Sequence, residues 1–213
     1  MPDSFTSMVE TRGPVALPAF SGVRVMMLPF RLEAIADTLP QLPTWWSTVE
    51  SLRAAGGVDS GTAYLTIDEA DVPTGETHRR PGLHVDGVGG GWGGGGGGWG
   101  KNGMVIAASH FGSRAWRQDF VGAPGREGDC EHLRAQTRAV DEVPLVGGHV
   151  FWLDPLCVHE AVPMQEAARR QFVRLSLPND APWFEGSTES AVGVRPTGDI
   201  RPARVAFMRY RGG

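Results

Sequence analysis

Short apolar segments separated by glycine and proline constrain the fold of this 213-residue chain more than any other feature. β-Branched and aromatic residues recur within these segments, a composition that is typical of strands. Strands are therefore predicted over residues 15–20, 23–30, 62–68, 83–86, 104–110, 116–121, 149–153, 158–162 and 171–177. Helices are predicted over residues 32–39, 44–55 and 128–138. Many short strands with a few supporting helices favour a mainly β fold, either a β-sandwich or a jelly roll.

A single domain is expected across residues 1–213, because this length suits one hydrophobic core. Residues 1–58 are expected to supply the first strands and the supporting helices, and residues 60–180 the jelly-roll core. Within that core, residues 87–103 are rich in glycine and contain Trp92 and Trp99, which predicts a loop. Because this loop directly follows Asp86, we hypothesise that its indoles close over a bound substrate.

Composition excludes several classes of protein. The net charge of −4 and the pI of about 5.9 give no electrostatic reason to expect a nucleic-acid partner. No stretch approaches the roughly 18 apolar residues of a membrane span, and residues 1–10 lack the apolar core of a signal peptide. Two cysteines, Cys130 and Cys157, do not make a disulfide framework. A cytoplasmic protein without a membrane partner is therefore expected.

His84-Val85-Asp86 and the later His159 are the strongest candidates for a functional site. Residues i and i+2 of a strand point to the same side, so His84 and Asp86 are able to bind one ion together. Two imidazoles and one carboxylate are the ligand set that holds Fe(II) on one face and leaves other coordination positions open. The sequence therefore predicts a metal site formed by His84, Asp86 and His159.

Two other motifs compete with this interpretation. Cys130-x-His132 and Cys157-x-His159 suggest a zinc site, but their spacing is not that of a zinc knuckle and Asp86 would have no role. The glycines before Lys101 come close to a phosphate-binding loop, yet Asn102 replaces the required Ser or Thr and a strand follows. Both are disfavoured.

Over about residues 60 to 180, the sequence resembles the Fe(II)/2-oxoglutarate-dependent dioxygenases. The resemblance is in the order of three motifs, which are His84-Val85-Asp86, the distal His159 and then Arg174-Leu175-Ser176. The resemblance implies a double-stranded β-helix, the cupin-like jelly roll. It also implies that His84, Asp86 and His159 bind iron, and that Arg174 and Ser176 bind the far carboxylate of 2-oxoglutarate. Tyr64 lies on a preceding predicted strand. A tyrosine at this position either forms a hydrogen bond to the co-substrate or packs within the sheet.

The position of the arginine remains open between two residues. Family members often place it nearer the distal histidine, at about the position of Arg170. Strand alternation favours Arg174, because it shares a face with Ser176, whereas Arg170 is expected at a hairpin edge. A guanidinium suits this role because it grips a carboxylate with two hydrogen bonds and stays charged.

The expected function is oxidation of a C–H bond of a small molecule by dioxygen, with 2-oxoglutarate as co-substrate. The resemblance includes halogenases that lack the carboxylate ligand, so Asp86 favours hydroxylation, desaturation or cyclisation. An amino acid or a secondary-metabolism intermediate is the expected type of substrate. Two alternatives stay open: a cupin-like metalloenzyme that does not use 2-oxoglutarate, and a non-catalytic β-barrel binding module.

Overall fold

The computed structural model describes residues 4–86, 102–180 and 182–202. In these ranges the chain is mainly β, as predicted, with thirteen strands and two α-helices. The strands are β1 (Ser4–Ser7), β2 (Val9–Pro14), β3 (Arg24–Arg31), β4 (Thr62–Val72), β5 (Met104–Ala108), β6 (Ser113–Trp116), β7 (Gln118–Val121), β8 (Glu142–Pro144), β9 (His149–Leu153), β10 (His159–Ala161), β11 (Ala168–Ser176), β12 (Trp183–Phe184) and β13 (Ile200–Arg201). The helices are α1 (Ile35–Thr38) and α2 (Trp46–Gly56), and short 3₁₀ helices cover Leu32–Ala34, Pro43–Trp45, Arg126–Gly128, Glu131–Gln136 and Ala139–Asp141.

A six-stranded antiparallel sheet in the order β2-β9-β5-β11-β4-β3 forms the larger layer. Strand β11 lies inside this sheet and pairs with β4 along its whole length, from Ala168 opposite Val72 to Ser176 opposite Tyr64. Because side chains alternate along a strand, Arg174 and Ser176 lie on the same face of the sheet.

The opposite face of this sheet carries the main apolar core. Residues of β4, β5 and β11, including Ile67, Val105 and Leu175, pack there with Trp45 and Leu52 from the helical segments. All five side chains are fully buried. The helices therefore cover one face of the sheet and leave the face that bears Arg174 to the second layer.

That second layer is a three-stranded antiparallel sheet in the order β10-β6-β8. Phe151 and Phe172 of the larger sheet share an apolar cluster with Ala115 of β6 and Leu145 beside β8. The metal-ligand candidates and Arg174 consequently lie between the two sheets. Within the described ranges the strands do not close into a barrel.

Several predicted elements differ from the structure. Residues 15–20 have no regular secondary structure, and the segment contains Pro18, which lacks the N–H that a sheet ladder requires. The predicted helix over residues 128–138 is reduced to the 3₁₀ helix Glu131–Gln136. Residues 83–86 do not form a strand, and His84 alone in this segment takes part in isolated bridges.

Most of the predicted glycine-rich loop, residues 87–101, lies outside the described residues, so the hypothesis of a lid stays a prediction. None of the described helices combines the length and the apolar character needed to cross a membrane.

Candidate metal centre

Backbone hydrogen bonds hold His84 between two neighbouring segments. The N–H of His84 donates to the carbonyl of His159 over 3.0 Å, and the N–H of His159 donates back to the carbonyl of His84 over 3.0 Å. On the other side, His84 bridges to Asp129, and the N–H of Val85 donates to the carbonyl of Gly128 over 2.8 Å. This double pairing fixes the segment that carries His84 and Asp86 beside β10.

The three predicted ligands lie together. One potential ligand atom from each of His84, Asp86 and His159 lies within 4.8 Å of the other two. The imidazole centroids are 4.3 Å apart, and Nε2 of His159 is 3.8 Å from Oδ2 of Asp86. His84 and His159 are 75 positions apart in the sequence, yet their side chains lie close enough to Asp86 and to each other to bind one cation.

The hydrogen bonds of the imidazoles favour the tautomer of a metal ligand. Nδ1 of His84 is 2.7 Å from the carbonyl of Gly82, and Nδ1 of His159 is 2.9 Å from the carbonyl of Cys157. A carbonyl only accepts, so each Nδ1 carries the proton and donates. The lone pair is then on Nε2, and the second hydrogen bond also fixes the orientation of each ring.

The charge states at neutral pH suit a cation as well. Burial and the neighbouring His159 ring lower the pKa of His84 to about 3, so its imidazole is neutral. Burial by itself would raise the pKa of Asp86, but Arg174 and the two imidazoles outweigh it and hold that pKa below its usual value. A neutral imidazole and an ionised carboxylate are the forms that bind metal.

The competing zinc interpretation receives no support from the geometry. Across the described residues, His84, Asp86 and His159 form the only cluster able to hold a metal ion, and it includes neither cysteine. Burial raises the pKa of Cys130 to about 12 and that of Cys157 well above its usual value. Zinc binds thiolates, which both sites disfavour.

Arg174 reaches the centre from the larger sheet. Its side chain is 5% exposed, and one terminal nitrogen donates to Oδ2 of Asp86 over 3.1 Å. The other terminal nitrogen is 3.5 Å from the sulfur of Met27. Burial lowers the pKa of Arg174, while Asp86 acts in the opposite direction. The predicted carboxylate-binding residue therefore lies beside the predicted metal site.

Ser176 and Tyr64, the other predicted co-substrate residues, differ in their surroundings. The hydroxyl of Ser176 is buried and has no hydrogen-bond partner among the described residues. The hydroxyl of Tyr64 lies 3.0 Å from Oγ1 of Thr197 and accepts a hydrogen bond from the N–H of Thr197. Ser176 thus offers an unused polar group, whereas the hydroxyl of Tyr64 already binds the C-terminal segment.

The prediction that Arg170 lies at a hairpin edge is wrong. Arg170 lies within β11 on the same face as Arg174 and is only 1% exposed. It donates to Nδ1 of His78 over 2.9 Å and to the carbonyl of His110 over 3.2 Å. Its guanidinium is therefore held in a separate hydrogen-bond network, four residues along the strand from Arg174.

That network centres on Asp68, which sequence reasoning did not identify. Asp68 is buried and accepts hydrogen bonds from Arg79 over 2.7 Å and from Arg24 over 3.0 Å. Nε2 of His78 lies 3.4 Å away. Burial opposes ionisation of Asp68, but His78 and the arginines outweigh it and lower its pKa. Asp68 and His78 have no distinctive spacing in the sequence, so only the pairing of β4 with β11 reveals this network.

Met27 was also missed. It lies at a bulge in β3, between the register positions of Val25 and Leu28, and has a positive φ of 50°. A positive φ is unusual for a residue with a side chain and costs energy. The bulge presents the sulfur of Met27 to Arg174, and its carbonyl accepts from the indole of Trp183 over 2.8 Å. No local pattern in the sequence indicates this bulge.

Comparison with known proteins gives little further information. No family model matches the chain, and no curated protein matches it. Among solved structures, AviO1 from Streptomyces viridochromogenes Tue57 is similar, with 14% sequence identity over 80% of this chain and 89% of that chain. The TM-score of 0.38 is too low to establish a shared fold.

Proposed function

We propose that this chain is a non-haem Fe(II)/2-oxoglutarate-dependent oxygenase that oxidises a C–H bond of a small molecule. The observation that carries the proposal is the convergence of His84, Asp86 and His159 within 4.8 Å. Both imidazoles have the tautomer that a metal ligand needs, and both histidines are buried. Two nitrogens and one oxygen suit Fe(II) and leave positions for other ligands.

The residues present also fit 2-oxoglutarate. One terminal nitrogen of Arg174 donates to Asp86 and the other contacts the sulfur of Met27, and the planar fork of a guanidinium suits a carboxylate. The buried, unpartnered hydroxyl of Ser176 on the same strand face is a second donor that lacks an acceptor among the described residues. When bound, Fe(II) would activate dioxygen, which is the oxidant, and 2-oxoglutarate would supply two of the four electrons as it is converted to succinate and carbon dioxide.

The protein's own groups have three tasks in this proposal. The carbonyls of Gly82 and Cys157 orient the two imidazoles and keep the protons on Nδ1. Arg174 keeps Asp86 ionised and holds its carboxylate in place. The apolar residues around the centre exclude water, which strengthens each of these electrostatic interactions.

We further propose that the two antiparallel sheets form a jelly roll, with the metal centre between them. This topology is supported by the shared apolar cluster between the sheets and by β10 following β9 into the other sheet. The presence of Asp86 favours hydroxylation, desaturation or cyclisation over halogenation. The short segments outside the sheets favour a small substrate, such as an amino acid or a secondary-metabolism intermediate.

Anaerobic titration tests the proposal. Fe(II) and then 2-oxoglutarate are added to the protein, and a visible charge-transfer absorption is expected only when both are present. The same titration of Asp86→Ala should show no absorption, and the exposed variant Asp71→Ala should behave as the parent protein. Binding of Fe(II) without any response to 2-oxoglutarate would contradict the role of the co-substrate.

One observation favours a second candidate, a metalloenzyme on the same scaffold that does not use 2-oxoglutarate. Arg174 already donates to Asp86, and this bond satisfies part of the guanidinium without a co-substrate. In that case, Fe(II) binds to the parent protein, and 2-oxoglutarate has no effect on this protein or on Arg174→Gln. The anaerobic titration therefore separates the two candidates.

A further inference from the structure

Each histidine of the candidate metal centre donates a hydrogen bond to the carbonyl two residues before it. Nδ1 of His84 donates to the carbonyl of Gly82 over 2.7 Å. Nδ1 of His159 donates to the carbonyl of Cys157 over 2.9 Å. Each of these carbonyls belongs to a planar peptide group that also contains the N–H of the next residue. The orientation of each imidazole therefore depends on the group that holds the N–H of that peptide.

For His159, the N–H of this peptide is held by Ser7, the last residue of β1. The N–H of Val158 donates to Oγ of Ser7 over 2.8 Å, and this Oγ donates to the carbonyl of Trp116 over 2.5 Å. The N–H of Trp116 donates to the carbonyl of Val158 over 3.0 Å, which closes a ring of three hydrogen bonds. Because Ser7 and Val158 are fully buried, solvent does not compete for these bonds.

For His84, the corresponding N–H is held by Glu131, the first residue of a 3₁₀ helix. The N–H of Leu83 donates to Oε2 of Glu131 over 3.1 Å, and the carbonyl of Leu83 accepts from the N–H of Cys130 over 2.8 Å. Arg134 donates to the same Oε2 over 2.9 Å and so holds the carboxylate in place. The two histidines thus have the same arrangement, in which a side-chain oxygen from a distant segment binds the N–H of the orienting peptide.

We propose, on the basis of the proposed function, that Ser7 and Glu131 are positioning residues of the metal centre. Each fixes the peptide whose carbonyl orients one ligand imidazole, Ser7 for His159 and Glu131 for His84. A hydrogen bond at the N–H also polarises the peptide, so its carbonyl becomes a stronger acceptor for the Nδ1 proton. The bond at Nδ1 keeps the lone pair on Nε2 and raises the basicity of this nitrogen toward a metal ion.

NMR of the metal-free protein with ¹⁵N-labelled histidine tests the positioning of each ring, because the spectra distinguish a protonated from an unprotonated ring nitrogen. In Ser7→Ala, the fraction of His159 with its proton on Nδ1 should fall, while His84 keeps its tautomer. Glu131→Ala should give the reverse, a change at His84 and none at His159. Each variant is thus the control for the other. No change at either ring, or equal changes at both rings in each variant, would overturn the proposal.

Calorimetric titration with Zn(II) measures the consequence for metal binding. Ser7→Ala and Glu131→Ala should each weaken Zn(II) binding roughly 10-fold, at the lower end of the loss that follows removal of an outer partner of a metal ligand. Unchanged Zn(II) affinity in both variants would overturn the proposal. Failure of the parent protein to bind Zn(II) or Fe(II) would instead contradict the proposed function, and the NMR experiment decides the positioning of the rings independently of that result.

Further variants separate positioning from stability. Ser7→Thr and Glu131→Gln keep an oxygen that accepts from the N–H, so both should restore the tautomer and most of the Zn(II) affinity. Ser113→Ala removes another buried hydroxyl, which donates to the carbonyl of Gly112 over 2.8 Å, and should leave Zn(II) affinity unchanged. Equal losses in Ser113→Ala and Ser7→Ala would overturn the role of Ser7. The side chain of Glu131 is 50% exposed, so its variants test the proposal even where a change at Ser7 prevents folding.

Discussion

Arg174 donates a hydrogen bond to Oδ2 of Asp86 over 3.1 Å and so connects the six-stranded sheet to the segment that carries two metal-ligand candidates. Both side chains are largely buried. Removing either partner leaves the other charge unpaired in an environment of low polarity, which is costly. The carboxylate of Asp86 therefore contributes both to the candidate metal site and to the contact between the two layers.

Replacing this carboxylate should separate the two contributions. In Asp86→Asn, metal affinity should fall more than about 100-fold. Even the loss of a group that only hydrogen-bonds to a metal ligand costs roughly 10- to 100-fold, and Asp86 is a candidate ligand itself. Stability without metal should fall by about 3 kcal/mol, because Arg174 loses its counter-ion. Calorimetric metal titration and urea denaturation measure the two effects. The control is Asp71→Asn, which changes an exposed carboxylate of β4 and should leave metal affinity unchanged. Unchanged metal affinity in Asp86→Asn would show that Asp86 is not a metal ligand.

The two arginines of β11 should behave differently. Arg174→Met should weaken 2-oxoglutarate binding roughly 30-fold or more, because the charge-assisted bond to the far carboxylate is lost. Arg170→Met should instead lower stability by about 3 kcal/mol, because it leaves the carbonyl of His110 and the ring of His78 without a donor. Anaerobic titration with 2-oxoglutarate and urea denaturation of both variants measure these effects. A larger loss of 2-oxoglutarate affinity in Arg170→Met would reverse the assignment.

Gly128 should be essential to the metal site although it binds no metal. A Cβ at this position would lie 2.0 Å from the carbonyl oxygen of Val85, between the two ligands His84 and Asp86. Gly128→Ala should therefore displace this segment and weaken metal binding. Gly148→Ala is a matched control, since the φ angles are 74° and 71° and nothing lies within 4 Å of a Cβ on Gly148.

Both glycine variants should lose about 1–2 kcal/mol of stability from the left-handed conformation. Only Gly128→Ala should lose metal affinity as well, as measured by calorimetric titration. Equal metal affinities in the two variants would show that the backbone contact at Val85 does not position the ligands.

Stability of the metal-free protein should depend on His84 as the pH is lowered. The pKa of His84 is about 3 in the folded state and 6.5 without the fold. Between these values the unfolded chain binds a proton that the folded chain does not, so the free energy of unfolding falls with decreasing pH. The contribution is at most about 1.4 kcal/mol per pH unit. His84→Gln should make the measured slope shallower, and an unchanged slope would contradict the low pKa.

Asp154 should act in the opposite direction. Burial raises its pKa from 3.8 to about 6, so between these values the folded chain holds a proton that the unfolded chain has released. This group loses stability as the pH rises through that window and partly cancels the effect of His84. Asp154→Asn should therefore steepen the dependence on pH between about 4 and 6, as measured by urea denaturation at a series of pH values.

The sequence alone determined those features that depend on short-range periodicity. Short apolar segments between glycine and proline predict a mainly β fold, which the structure confirms, and strand alternation predicts that Arg174 and Ser176 share a face, which the register of β11 confirms. The residue types of His84, Asp86 and His159 predict their convergence, and the structure brings them within 4.8 Å. The binding of Fe(II) and 2-oxoglutarate remains a prediction.

Only the tertiary structure decided which groups meet across the chain. The partner of Arg174, the burial of Arg170 beside His78 and the bulge at Met27 all depend on pairings between strands that are distant in the sequence. Local propensity and spacing contain no information on such pairings, because they follow from how the sheets pack as a whole.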